Sequence, residues 1–281
     1  MKNFGFIQKY WKILTILLFV GLIILLLFVI VPSRLSGITK PSGTVSTCPE
    51  ILKGLEYLQA QIHPDIGLLR EAPNAAPNTY WITNDNALAA CTFTQLGYFD
   101  LGSEVHKAIK QYGEASNDFI EVVWGNTITF PPHIANPIVI KNSESFQILQ
   151  ELHNTGPVFE DWEEYANLGF LSALNSYNQG DEQSARRKVM NTMQLFDGIG
   201  FADKSFNGTY ETYKLALALY SAKRIGLQLE NEQVIFENLL KMQNINGGFH
   251  THYDQNFKSD SDTNTETTSF ALLALNLFGC K

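Results

Sequence analysis

Beyond residue 48 the chain reads as helices of two alternating kinds, and this alternation restricts its fold more than any other feature. One kind is amphipathic. Ile51, Leu52, Leu55 and Leu58 form an apolar stripe beside Lys53, Glu56 and Gln59. Leu101, Val105, Ile109 and Tyr112 form a second, Ala185, Val189, Met193 and Phe196 a third, and Val234, Ile235, Leu239 and Met242 a fourth. A helix with one apolar face covers a core from outside. The other kind, at 86–93, 168–174, 215–220 and 270–275, is apolar nearly all round and must be enclosed on several sides. The pattern therefore predicts an all-α body of four outer–inner helix pairs. Short turns with Gly97, Gly180 and Gly226 lead from inner to outer helices, as expected of residues that end helices. Longer loops, at 63–83, 115–161, 197–209 and 244–265, lead from outer to inner. Antiparallel pairing places all four long loops at one end, where a site would be built.

Three of those loops share a local pattern. Gln61-Ile-His-Pro-Asp-Ile-Gly67-Leu, Gln194-Leu-Phe-Asp-Gly-Ile-Gly200-Phe and Gln243-Asn-Ile-Asn-Gly-Gly248-Phe each run from Gln through a polar turn and Gly to an apolar anchor. The last two lie about fifty residues apart, the spacing of one supersecondary unit. The loop at 115–161 departs from the pattern. Phe119-Ile-Glu-Val-Val-Trp and Ile138-Val-Ile flank Pro131-Pro132, which predicts a β-hairpin insertion over 117–141.

Gln243-Asn-Ile-Asn-Gly-Gly-Phe249, followed by Glu266-Thr-Thr-Ser-Phe-Ala-Leu-Leu-Ala-Leu275, resembles the repeat of prenyltransferases and terpenoid cyclases. The resemblance implies an α/α toroid, here partial with about four helix pairs, in which the Gln-to-aromatic loop joins outer to inner helices. The strong match covers about forty residues, and the weaker copies extend it over most of the body. It does not carry those enzymes' chemistry. Asp260-Ser-Asp262-Thr263 lacks the last acid of the cyclase motif, no Cys lies near His250 or His252 to complete a prenyltransferase zinc set, and the Cys-Gly-Glu-Gln of thioester domains is absent.

An acid stands near the start of each inner helix: Asp85, Glu164, Glu211 and Glu266. They lie 12, 16, 15 and 13 residues before Gly97, Gly180, Gly226 and Gly279. Around a common cavity such carboxylates could divide into a protonated and an ionised member, the pair that glycosidic cleavage requires. The helix dipole and capping also favour acids at these positions without any site. Tyr80, Trp81, Trp162, Tyr210 and Tyr253 accompany the acids and suit the apolar faces of a sugar, as they suit packing between helix ends. His250 and His252 are candidates to line the same cleft. His63, His106, His133 and His153 read as ordinary surface or loop residues. Nothing fixes a metal-binding geometry, so neither metal nor cofactor is expected. A phosphate-binding Gly loop, Gly-x-Ser-x-Gly and Cys-x-x-Cys are all missing.

Residues 13–31 are interrupted only by Thr15 and Gly21, and at 1.5 Å per residue they span roughly 28 Å. This predicts a single transmembrane helix. Lys2, Lys9 and Lys12 precede it, which sets residues 1–12 as a cytoplasmic stub and turns the body outward. Residues 32–47, rich in Ser, Gly, Pro and Thr, read as a flexible linker to a domain over 48–281. The formal net charge is −8, so an electrostatic grip on nucleic acid is not expected. Cys48 and Cys280 bracket the body and are candidates for a disulfide, Cys91 reads as a buried small hydrophobe, and Asn207 heads the only glycosylation sequon.

Two functional readings follow. In one, a membrane-anchored, extracytoplasmic α/α-toroid domain carries an acidic aromatic cleft that binds or cleaves cell-surface glycan, as a glycoside hydrolase- or lyase-like enzyme. In the other, the domain is a non-catalytic binding or scaffold module for a surface polysaccharide or protein.

Overall fold

The computed structural model describes residues 48–113, 118–152 and 156–279. The expected stub, transmembrane helix and linker all lie outside the described residues. Among those described, no helix is long and apolar enough to cross a membrane.

The body is mostly α-helical with small sheets. Four amphipathic helices pack outside: α1 (Pro49–Gln61), α3 (Phe99–Tyr112), α6 (Glu182–Thr192) and α8 (Glu232–Lys241). Four inner helices alternate with them: α2 (Leu88–Gln95), α5 (Ala166–Asn178), α7 (Thr212–Ile225) and α9 (Thr265–Phe278). α2 continues from a single π-helical segment, Ile82–Ala87. The inner helices are buried almost throughout, as in α7, where Leu215 through Ala222 are all inaccessible. Inner helices also pack on one another, α2 on α9, α9 on α7 and α7 on α5. The short α4 (Asp118–Trp124) touches both α5 and the π-helical segment.

Capping follows the sequence at several ends. Asp181 accepts the Ser184 N–H at the start of α6 and Asn264 accepts that of Thr267 at the start of α9. Gly226 ends α7 in the left-handed conformation at φ 66°.

The three Gln-to-anchor loops fold alike. Each closes on itself with an antiparallel bridge, Ile62 to Leu69, Phe196 to Phe201 and Gln243 to Phe249. Their anchors Leu68, Phe201 and Phe249 are buried. In the third loop Gln243 Nε2 donates to the Gly247 carbonyl at 2.9 Å and to the Glu50 carbonyl of α1 at 2.8 Å, tying the loop across the molecule. Gly247 sits at φ 91°, and a Cβ there would lie 2.2 Å from the Lys53 carbonyl oxygen. Gly247→Ala is therefore expected to destabilise the fold by about 2 kcal/mol or more, through left-handed strain together with a backbone clash. Urea denaturation would measure the loss.

The insertion differs from expectation. Residues 119–124, read as a first strand, form α4, in which Ile120, Val122 and Val123 are buried. Asn178 of α5 donates to the Val122 and Asn126 carbonyls and so satisfies the helix end. Helical packing against α5 overrides the β propensity of Ile and Val here. A hairpin does form further along the chain, from β2 (Asn136–Asn142) and β3 (Phe146–Leu152). β3 also pairs in parallel with β1 (Asn78–Trp81), giving a sheet of order β1-β3-β2. Smaller two-stranded pieces, β4 (Tyr210–Glu211) with β6 (His252–Tyr253) and β5 (Phe249–His250) with β7 (Thr263–Asn264), pin the last long loop beside the starts of α7 and α9.

Candidate functional site

A cavity of about 600 Å³ opens where the inner helices begin. Its floor and walls come from the first turns of α5, α7 and α9, from the π-helical segment, from α4, and from loop and strand residues around Glu71, His133, Glu151 and Thr251. Four carboxylates line it: Glu71, Glu151, Glu211 and Glu266. Phe119, Phe159, Tyr165, Tyr213 and Phe270 supply aromatic surface, and Asn84, Asn167 and Asn264 supply amides. The second residue of each of α5, α7 and α9, namely Asn167, Tyr213 and Glu266, reaches this cavity, so equivalent first-turn positions converge there.

The acids differ in environment. Glu266 is pushed up to about 7, first by burial and then by the charges of Glu151, Glu211 and Glu71. Asp85, 2% exposed in the π-helical segment, is raised well above the usual carboxyl range by burial and by Glu266, Glu71 and Glu151. Its Oδ2 has no hydrogen-bond partner among the described residues. Glu71 is raised by burial, against the effect of the Trp81 indole N–H that donates to its Oε2 at 3.2 Å. Glu151 accepts from Asn84 Nδ2 at 2.6 Å. Glu211 goes the other way. Burial would raise it, but His252 at 3.8 Å and the Lys214 ammonium hold it down to about 2.

Lys214 is the cation behind that difference. It is 1% exposed, pairs with Asp203 at 2.6 Å and with Glu211, and donates to Ser205 at 2.6 Å. Asp203 Oδ2 also accepts the Ala166 N–H at the start of α5, so one buried network joins α5 to α7.

Of the residues expected at the cleft, Glu211, Glu266 and His252 line the cavity, and Asp85 lies buried within electrostatic reach of its acids. The others go elsewhere. Glu164 falls in a 3-10 turn, Trp162–Glu164, ahead of α5, and forms an exposed ion pair with Lys204 at 3.1 Å. The position its spacing implied is taken by Asn167. Tyr80 is buried edge-on between His63 and Phe146. Trp81 serves Glu71, and Trp162 packs on Phe130. Tyr210 and Tyr253 stack on one another in the core, their hydroxyls donating to Asp197 and to the Ile199 carbonyl. His250 is consumed within its loop by Asn244 and the Ser261 carbonyl. Asn207 lies on an exposed turn. Cys48 is disulfide-bonded and Cys91 is a free, buried thiol, while Cys280 lies outside the described residues.

His133, read as an ordinary loop residue, instead lines the cavity, with Nδ1 against the Gly156 carbonyl at 2.7 Å. Glu71 and Glu151 were not singled out at all. The only signal for Glu151 was a carboxylate within the otherwise uncharged run Phe146-Gln-Ile-Leu-Gln-Glu-Leu152. Among the described residues no three His, Cys, Asp or Glu side chains converge so as to hold a metal ion.

The raised acid gives a stability signature. Between the ordinary carboxyl range and about 7 the folded state holds a proton on Glu266 that the unfolded chain has released, so stability falls as pH rises through that window. Glu266→Gln is expected to raise the melting temperature by several degrees at about pH 8 and to leave it unchanged at about pH 4. Thermal melts at both pH values decide it.

No family model and no curated protein matches this chain.

Proposed function

We propose that this is a membrane-anchored protein whose body, an α/α toroid held outside the cytoplasm, cleaves cell-surface glycan in its acidic aromatic cavity. The topology rests on the apolar run at 13–31 and the lysines before it. The toroid rests on the four outer–inner pairs, the three equivalent loops, and a chain of contacts from α2 through α9, α7, α5 and α4 to the π-helical segment.

One observation carries the chemistry: two carboxylates on one cavity, Glu266 and Glu211, are driven apart in proton affinity, to about 7 and about 2. Near neutral pH this is a general acid beside an ionised carboxylate. Glu266 would give its proton to the glycosidic oxygen as the carbon–oxygen bond breaks. Glu211 would take a proton from the water that adds to the anomeric carbon. Phe119, Tyr213 and Phe270 offer faces for sugar rings, and the three amides offer hydroxyl partners.

A non-catalytic binding role is the second reading, and the crowding of Glu211 favours it. Glu211 Oε2 already receives Lys214 and Ser205, while His252 stands at Oε1, which leaves little room to accept from water. The test is incubation of the full chain in detergent micelles with a panel of surface polysaccharides, assaying new reducing ends. Release of reducing ends supports the enzyme. Saturable binding without release supports the second reading, and neither would remove the glycan altogether.

A further inference from the structure

Exposed aliphatic side chains gather on the insertion. From Val122 to Ile140 the chain has no Asp, Glu, Lys or Arg. Ile134, Ile138 and Val139 are exposed in that run, Val139 to 60%. Val158, exposed as well, is held beside Ile134 by the His133–Val158 bridge and by the Ile134 N–H, which donates to the Pro157 carbonyl. The exposed Phe99, Met190, Val234 and Ile245 instead stand singly, on three different outer helices and one loop. Single exposed hydrophobics are ordinary, but several on one uncharged insertion cost free energy in water unless something covers them.

We infer that the insertion rests on the lipid bilayer in which the chain is anchored, with Ile134, Ile138, Val139 and Val158 at the boundary between headgroups and acyl chains. The inference rests on the membrane anchor of the reading above and not on its chemistry. Only residues 32–47 connect the apolar run at 13–31 to the body, and fully extended they reach at most roughly 55 Å. The bilayer is therefore always at hand, and a run without charges can enter its interface without desolvating an ion. A strand from another protein fits less well. β2 is the edge of its sheet, but Pro137 has no N–H to give, and a bulge between Val139 and Lys141 breaks the ladder. Both features spoil an edge for pairing, whereas lipid needs no backbone partner. His133, Ile134 and Ala135 also line the cavity, so this contact would set the cavity's mouth beside the headgroups.

The test places the full chain in phosphatidylcholine nanodiscs, with an environment-sensitive fluorophore on Val139→Cys or, as a control, on Met190→Cys. Both positions are exposed, so neither substitution disturbs the core. Doxyl-labelled lipid is expected to quench the probe at 139 at least about threefold more than the probe at 190, and iodide to reach it at least about threefold less. Equal access of iodide to both, without lipid quenching, overturns the inference and leaves the anchor standing, because co-elution of the chain with the discs reads the anchor separately. Protection from iodide without lipid quenching means that protein, such as a second copy, covers the strand, and this overturns the inference as well. A chain that does not co-elute with the discs removes the anchor and the inference together.

Discussion

Glu266→Gln is expected to reduce glycan cleavage by about 10²- to 10⁴-fold, the usual contribution of a general acid, with the fold intact. The amide keeps the shape and much of the polarity of the protonated acid but has no proton to give. Because the wild-type group titrates at about 7, the rate with the native residue should fall as pH rises through that value. On the acid side Glu211 stays ionised down to about 2, so no decline is expected across the ordinary acidic range. The profile is thus a plateau with a fall above neutrality, and its alkaline limb should vanish in the variant along with most of the rate. Reducing-end release against pH for both proteins would settle it. A variant with wild-type turnover removes Glu266 from the chemistry even if a substrate has been found.

The second large effect concerns Lys214. Truncation to Met is expected to cost about 3–5 kcal/mol in chemical denaturation, since it strands Asp203 and Glu211 around a fully desolvated position. The side chains of Lys214 and Asp203 are 2% and 0% exposed, so solvent offers little relief. Adding Asp203→Asn to the Lys214→Met variant should restore part of the loss, because the amide oxygen can still accept the Ala166 N–H without a charge. A loss below about 1 kcal/mol would mean that water reaches the network. The substitution should also raise Glu211, coupling stability to the cavity's electrostatics.

Much of the scaffold was legible from periodicity. A helix apolar on every face must be covered, and one apolar on a single face covers it, so the inner and outer roles of the eight long helices follow from composition alone. Gly97, Gly180 and Gly226 all adopt positive φ, for the same local reason. Residues 119–124 form a helix rather than a strand because Phe-Ile-Glu-Val-Val-Trp, apolar except for Glu121, satisfies either, and only contact with α5 chooses. The site was partly legible. Glu211 and Glu266 sit near the starts of their helices and reach the cavity, but the same spacing rule failed for Glu164. There a 3-10 turn intervenes before α5, and the shift carries the side chain to the surface. The aromatics chosen for their nearness to acids mostly went to the core, since nearness along the chain says nothing about which face of a strand a ring takes.

What this sequence determined by itself is local: where the outer and inner helices run, which of them are enclosed, and where glycines end them. What only the tertiary structure decided is which polar groups meet. Glu71 and Glu151 are eighty residues apart and line one cavity because β3, which carries Glu151, pairs in parallel with β1, whose Thr79 carbonyl accepts the Glu71 N–H. Proton affinities were decided there too. Glu211 and Glu266 are the same residue type at similar helix ends, and they differ because one has Lys214 buried against it while the other is buried with only carboxylates among the charges that act on it. Charge interactions act through space and depend on burial, which no pattern along the chain encodes.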